Sequence, residues 1–143
     1  MTDQNHDTSS VRGPTPPPQL DAEGLPPGYL FRADWEVTPR VVARQLLSDA
    51  PPLILDCRTE QERAICAMPG SMFVPLHELE LKIDDVRDRL DDEGKCAVVV
   101  HCHHGARSLR ATAVLRAAGI PTQSMAGGIH LWAVDIDRTL PQY

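Results

Sequence analysis

No apolar run in the 143-residue chain approaches the length a membrane-spanning helix needs. The N-terminus lacks the basic-then-apolar pattern of a secretion signal. Lysine is scarce, present only at Lys82 and Lys95, and no Lys/Arg cluster occurs in a chain of net charge −6. These absences predict a cytoplasmic protein with neither a membrane nor a nucleic acid as partner. The four cysteines, Cys57, Cys66, Cys96 and Cys102, show no C-x-x-C spacing. Without a secretion signal they read as free thiols rather than a disulfide framework. His101, Cys102, His103 and His104 raise a zinc reading, but consecutive side chains point in different directions and no second ligand pair occurs at zinc-site spacing, so no metal is expected, and no organic cofactor is implied. Internal repeats are absent too.

Proline is abundant, and unevenly placed. Pro14, Pro16, Pro17, Pro18, Pro26 and Pro27 fall in residues 1–33. Such a stretch buries too little apolar surface to offset its ordering entropy, so 1–33 is read as a disordered tail and 34–143 as one domain. Within that domain the punctuation is regular. Thr38 then Pro39 starts a helix to about Ser48. Leu53-Ile54-Leu55 is a strand ending at Asp56-Cys57-Arg58. Thr59 and Glu62 form a capping box opening a short helix. Met72-Phe73-Val74 is a second short strand. Leu76, Leu79, Ile83, Val86 and Leu90 share one helical face, and the acids Asp84, Asp85, Asp88, Asp91, Asp92 and Glu93 the solvated one. Ala97 to His101 is a β-branched run without alternation, as expected of a central parallel strand covered on both faces. Ser108 to Ala118 is a helix, Pro121 to Met125 a strand, and Ile129 to about Ile136 a last helix anchored by Trp132. Strands alternating with helices predict an α/β fold with a parallel sheet, which binds ligands beyond the carboxyl ends of its strands.

Cys102 stands just beyond such an end, in the run Val98-Val99-Val100-His101-Cys102-His103-His104-Gly105-Ala106-Arg107-Ser108. A cysteine where a strand hands over to a helix N-terminus is ringed by backbone N–H groups, and the positive helix end favours thiolate over thiol. Gly105 frees the backbone to curl. The amides from His103 to Ser108 can converge on an anion above the sulfur, and Arg107 can hold an anionic group or brace the loop. His101 is read as orienting the loop, and His103 and His104 as lining its mouth. Asp56 and Arg58 read as an ion pair bracing the neighbouring loop, and Gly127-Gly128 as a turn walling the pocket.

Four pieces, in order, resemble the rhodanese-like domain family of single-domain sulfurtransferases. Asp56-Cys57-Arg58 is similar to the family's Asp-x-Arg. Glu60-Gln61-Glu62 followed by Met68-Pro69-Gly70-Ser71 is similar to its Glu-rich helix and Ile-Pro-Gly-Ala turn. His101 to Ser108 resembles its active-site loop, and Gly127-Gly128-Ile129 with Trp132 its closing Gly-Gly-(x)3-Trp. Cys66-Ala67 departs from the usual Gly-His before the Pro-Gly turn. The resemblance implies a three-layer α/β fold, with a central parallel sheet of about five strands flanked by helices. It implies Cys102 as nucleophile and persulfide carrier, with thiosulfate or a persulfide as sulfur donor and cyanide or a thiol as acceptor. A sulfur-relay protein is a further candidate partner. Two alternatives stand beside it: a non-catalytic binding module of the same fold, and a cysteine phosphatase or arsenate reductase. Phosphatase loops usually place five residues between Cys and Arg; here there are four, which leaves less room for a tetrahedral oxyanion.

Overall fold

A computed structural model describes residues 19–143. Five parallel strands form one sheet in the order β1-β5-β4-β2-β3. They are β1 (Glu36–Val37), β2 (Leu53–Asp56), β3 (Met72–Phe73), β4 (Val98–His101) and β5 (Thr122–Met125). The helices are α1 (Pro39–Leu46), α2 (Glu60–Ile65), α3 (Ile83–Glu93), α4 (Ala106–Ala117) and α5 (Gly128–Asp135). Central β4 is buried along its whole length, as its unalternating Val-Val-Val-His demands. Odd and even strand positions feed two cores. Leu53, Leu55, Val98 and Val100 pack with Val86 and Leu90 of α3 and Ala111 and Leu115 of α4. Ile54, Val99 and Met125 pack on the opposite face with Val42 of α1 and Ile129 and Trp132 of α5. The result is the parallel α/β fold that the alternation of elements predicts, in the three layers that the resemblance implies.

Local signals act as expected at the caps. Thr38 Oγ1 accepts from Val41 N–H, with Pro39 at the first helical position. Thr59 and Glu62 close a reciprocal capping box. Two expectations need correction. The single helix read from Leu76 to Leu90 is divided: Leu76–Lys82 is a 3-10 helix and α-helical geometry starts at Ile83. An i, i+3 apolar spacing serves either geometry, so periodicity does not separate them. The tail read over 1–33 also ends earlier than its composition suggests. Residues 1–18 lie outside the described residues, but Leu25 is buried with Ala126 and Leu131, and Leu20, Tyr29 and Phe31 pack against that cluster. Tyr29 donates a hydrogen bond to Glu36 (2.5 Å) and accepts one from Gly127 N–H (3.1 Å). This segment straps the β1 edge to the start of α5. Among the described residues no helix is long and apolar enough to cross a membrane.

Candidate active site

β4 delivers Cys102 to the carboxyl edge of the sheet, where it is 1% exposed. Its Sγ accepts N–H bonds from Gly105 (3.1 Å) and Ser108 (3.3 Å). Ser108 is the third residue of α4, so its N–H has no intrahelical acceptor and is free for the sulfur. The twelve-residue helix points its positive end at the same atom. The Ser108 hydroxyl stands 3.4 Å from Sγ, bonds the Gly105 carbonyl at 3.1 Å and lies 2.7 Å from Ser124 Oγ. Gly105 takes φ +120°, which side-chain-bearing residues rarely adopt. A thiol or thiolate at this point meets two converging N–H donors.

The rest of the loop is held from several sides. His101 is fully buried, with Nδ1 3.3 Å from the Cys102 carbonyl oxygen; burial lowers its pKa to about 4 and keeps it neutral. Arg107, read from sequence as an anion holder or a brace, turns its guanidinium onto Glu62 in a bidentate pair of 2.5 and 2.9 Å. That fork holds the Glu62 carboxyl far below the ordinary carboxylate range, and Tyr143 adds a hydrogen bond from its hydroxyl at 2.7 Å. The Tyr143 hydroxyl also accepts from Arg58 at 2.9 Å, and its ring stacks on His103 with centroids 3.8 Å apart. Burial pushes the Tyr143 phenol up to about 12. Ala106 opens α4 on the exposed side. A cleft of about 580 Å³ opens beside Arg107, lined also by Arg58, Thr59, Leu76 and Arg110.

Asp56 and Arg58 are both fully buried and form a fork, with Nε–Oδ1 2.9 Å and Nη2–Oδ2 2.8 Å. Burial alone would raise the Asp56 pKa; the Arg58 bonds reverse this and lower it. Arg58 reaches on to the Cys66 carbonyl (2.6 Å), and Arg63 adds a further contact to Asp56 (3.1 Å). The pair touches loop backbone and Tyr143 rather than the sulfur. Gly127 and Gly128 do more than turn the chain. They let α5 abut the Cys102 loop, where Ile129 N–H donates to the Cys102 carbonyl (2.9 Å) and His130 N–H to the His103 carbonyl (3.1 Å). A Cβ on Gly128 would lie 2.3 Å from the His103 oxygen. Cys57 and Cys66 are buried free thiols, and burial raises the Cys57 pKa; Cys96 is exposed.

Five residues at this centre escape a sequence reading: Glu62 as the partner of Arg107, together with Ser124, His130, Tyr143 and Tyr29. Each arrives from a remote element, and only Glu62 carried a local signal, as a capping residue.

A parallel α/β domain with a buried cysteine under a helix N-terminus, beyond the sheet's carboxyl edge, defines a class of cysteine-loop proteins. Within it, the chain belongs to the rhodanese-like domain family, which matches residues 40–135. Adenylyltransferase and sulfurtransferase MOCS3 of Mus musculus is 34% identical over 118 residues, covering 70% of this chain and 26% of that protein. The chain thus spans about a quarter of the length of the curated relatives it matches. The human single-domain sulfurtransferase TSTD1 superposes with a TM-score of 0.57 at 26% identity, over 70% of this chain and 96% of that one. A thiosulfate sulfurtransferase from Pseudomonas aeruginosa gives 0.57 at 27% identity, over 69% of this chain and 18% of that one.

Proposed function

We propose that this domain is a sulfurtransferase that carries a sulfane sulfur as a Cys102 persulfide. The observation that carries the reading is the convergence of Gly105 N–H, Ser108 N–H and the α4 N-terminus on Cys102 Sγ. The Cys102 thiolate attacks the outer sulfur of a donor such as thiosulfate. A new S–S bond forms, the donor's S–S bond breaks, and sulfite leaves with the electron pair. The terminal sulfur of the persulfide bears the negative charge, and the loop amides are placed to stabilise it. An acceptor nucleophile, cyanide or a thiol, then attacks that terminal sulfur and releases the Cys102 thiolate, a ping-pong sequence.

Arg107 acts here as a brace. Its bond to Glu62 ties the start of α4 to α2 and fixes the amide ring, while the cleft beside it, with Arg110, offers a positive approach for an anionic donor. A phosphatase reading finds less support, because the loop arginine is already matched by a carboxylate.

The test is loading with thiosulfate. Mass spectrometry is expected to show a gain of one sulfur atom, and cyanide to release it as thiocyanate. Cys102→Ser is expected to abolish both. A folded wild-type protein that gives neither signal favours the non-catalytic module, and turnover of an aryl phosphate would favour the phosphatase.

A further inference from the structure

Three imidazoles from two elements meet at the mouth of the Cys102 loop. His103 and His104 come from the loop itself, and His130 from the first turn of α5. One ring nitrogen of each lies within 4.8 Å of those of the other two. The ring centroids are 3.9 Å apart for His103 and His104, 5.0 Å for His104 and His130, and 5.8 Å for His103 and His130. Nε2 of His103 and Nδ1 of His130 are buried without a hydrogen-bond partner. Buried polar atoms are nearly always satisfied, so two orphaned nitrogens on neighbouring rings point to an occupant that serves both. The sequence shows His103-His104 but no second pair at zinc-site spacing. The structure supplies a single third donor from a remote helix.

This grouping is fixed by backbone. The His103 carbonyl accepts from the His130 N–H itself, and glycine at 128 allows that approach. His103 is further held by its stack on Tyr143. The donor set is nitrogen only. Oxygen-seeking Ca²⁺ and Mg²⁺ suit it poorly, whereas Zn²⁺ and its neighbours in the first transition row take three imidazoles and leave a fourth position open. Cys102 Sγ is engaged with Gly105 and Ser108 and is no part of the set.

We propose that His103, His104 and His130 form a binding site for a borderline divalent transition-metal ion, with Zn²⁺ as the reference, at the mouth of the cysteine loop. The site lies on the loop that carries Cys102.

Calorimetric titration of the metal-stripped full chain with Zn²⁺ tests this. One equivalent is expected to bind. His104→Ala, at an exposed position, is expected to weaken binding by more than the roughly tenfold to hundredfold that loss of a supporting contact produces. His130→Ala is expected to do the same, with circular dichroism verifying its fold. Cys102→Ser and His6→Ala are expected to leave binding within about twofold, well inside that range. Co²⁺ loading is expected to give ligand-field bands without a thiolate-to-metal charge-transfer band. Absence of binding overturns the proposal, as does binding that survives His104→Ala or is lost with Cys102→Ser or His6→Ala. Because the readout is binding rather than turnover, failure here leaves the sulfurtransferase reading untouched, and failure of that reading leaves this one testable.

Discussion

Ser108 meets two different demands, one on its backbone and one on its side chain. Its N–H faces Cys102 Sγ, while its hydroxyl lies between Sγ, the Gly105 carbonyl and Ser124. Both Ser108→Ala and Ser124→Ala break the buried Ser108–Ser124 bond, and each is expected to cost about 1–3 kcal/mol in urea unfolding. Only Ser108→Ala removes the hydroxyl beside the sulfur. Its rate of sulfur loading from thiosulfate is expected to fall by about tenfold, the equivalent of one lost hydrogen bond of about 1–1.5 kcal/mol beside the sulfur, while Ser124→Ala loads normally. Equal loading in the two variants would remove the hydroxyl from the chemistry.

Glu62 belongs to the same scale. Its depressed carboxyl pKa means that the folded state binds the proton less readily than the unfolded chain. The stabilisation is therefore complete above the unfolded value of about 4.3, and it fades as pH falls below that toward the far lower folded value. Arg107 is about a third exposed, so solvent screening reduces the effect of the pair below what the shift alone implies. Glu62→Gln is expected to lose about 1–2 kcal/mol at pH 7, the range of a charge-assisted fork less that screening. Denaturation curves of wild type and variant are expected to converge as pH drops below 4. A difference that persists undiminished at pH 2.5 would sink the linkage.

At the scale of elements, the meeting of α5 with the Cys102 loop is the tightest joint at the site. Gly128 has φ +62° and no room for a Cβ, whereas Gly70 has φ +76° with nothing near a Cβ. Gly70→Ala pays only for backbone conformation, about 1 kcal/mol. Gly128→Ala adds a collision with the Cys102 and His103 carbonyls, and is expected to cost about 3 kcal/mol or more in thermal or urea unfolding and to lower sulfur loading in parallel. Equal losses would show that the joint yields easily.

This joint also marks how far sequence carries. The strand-to-loop-to-helix run at Cys102 is contiguous, so its chemistry is legible residue by residue. Thr38, Thr59 and Gly94 announce helix ends through their own backbone needs; Gly94 takes the left-handed cap of α3. What meets across the sheet's edge is not legible. Nothing near Arg107 in sequence names Glu62, and nothing near His103 names His130 or Tyr143. The 3-10 geometry of Leu76–Lys82 is hidden for a different reason, since its apolar residues satisfy both helical periods.

For the molecule as a whole, the instructive segment is 19–33. Its prolines and polar residues argue against a core, and composition averages away the few side chains that matter. Leu25 alone is 4% exposed, set against Ala126 and Leu131, and Tyr29 bonds both Glu36 on β1 and the Gly127 amide at the head of α5. The strap thereby connects a sheet edge to the same α5 start that supports the Cys102 loop. If it is an integral layer of the domain, Leu25→Ala leaves a cavity and is expected to cost about 2–4 kcal/mol, on the scale of core leucine truncations. Leu30→Ala, at an exposed leucine in the same strap, is expected to stay within about 0.5 kcal/mol. Tyr29→Phe is expected to lie between them, losing the bridge but not the ring. Hydrogen exchange at Gly127 and Ile129 then reports whether the strap reaches the site: Leu25→Ala and Tyr29→Phe should speed exchange there, and Leu30→Ala should not. A Leu25→Ala variant as stable as wild type would return residues 19–33 to the tail that their composition suggests.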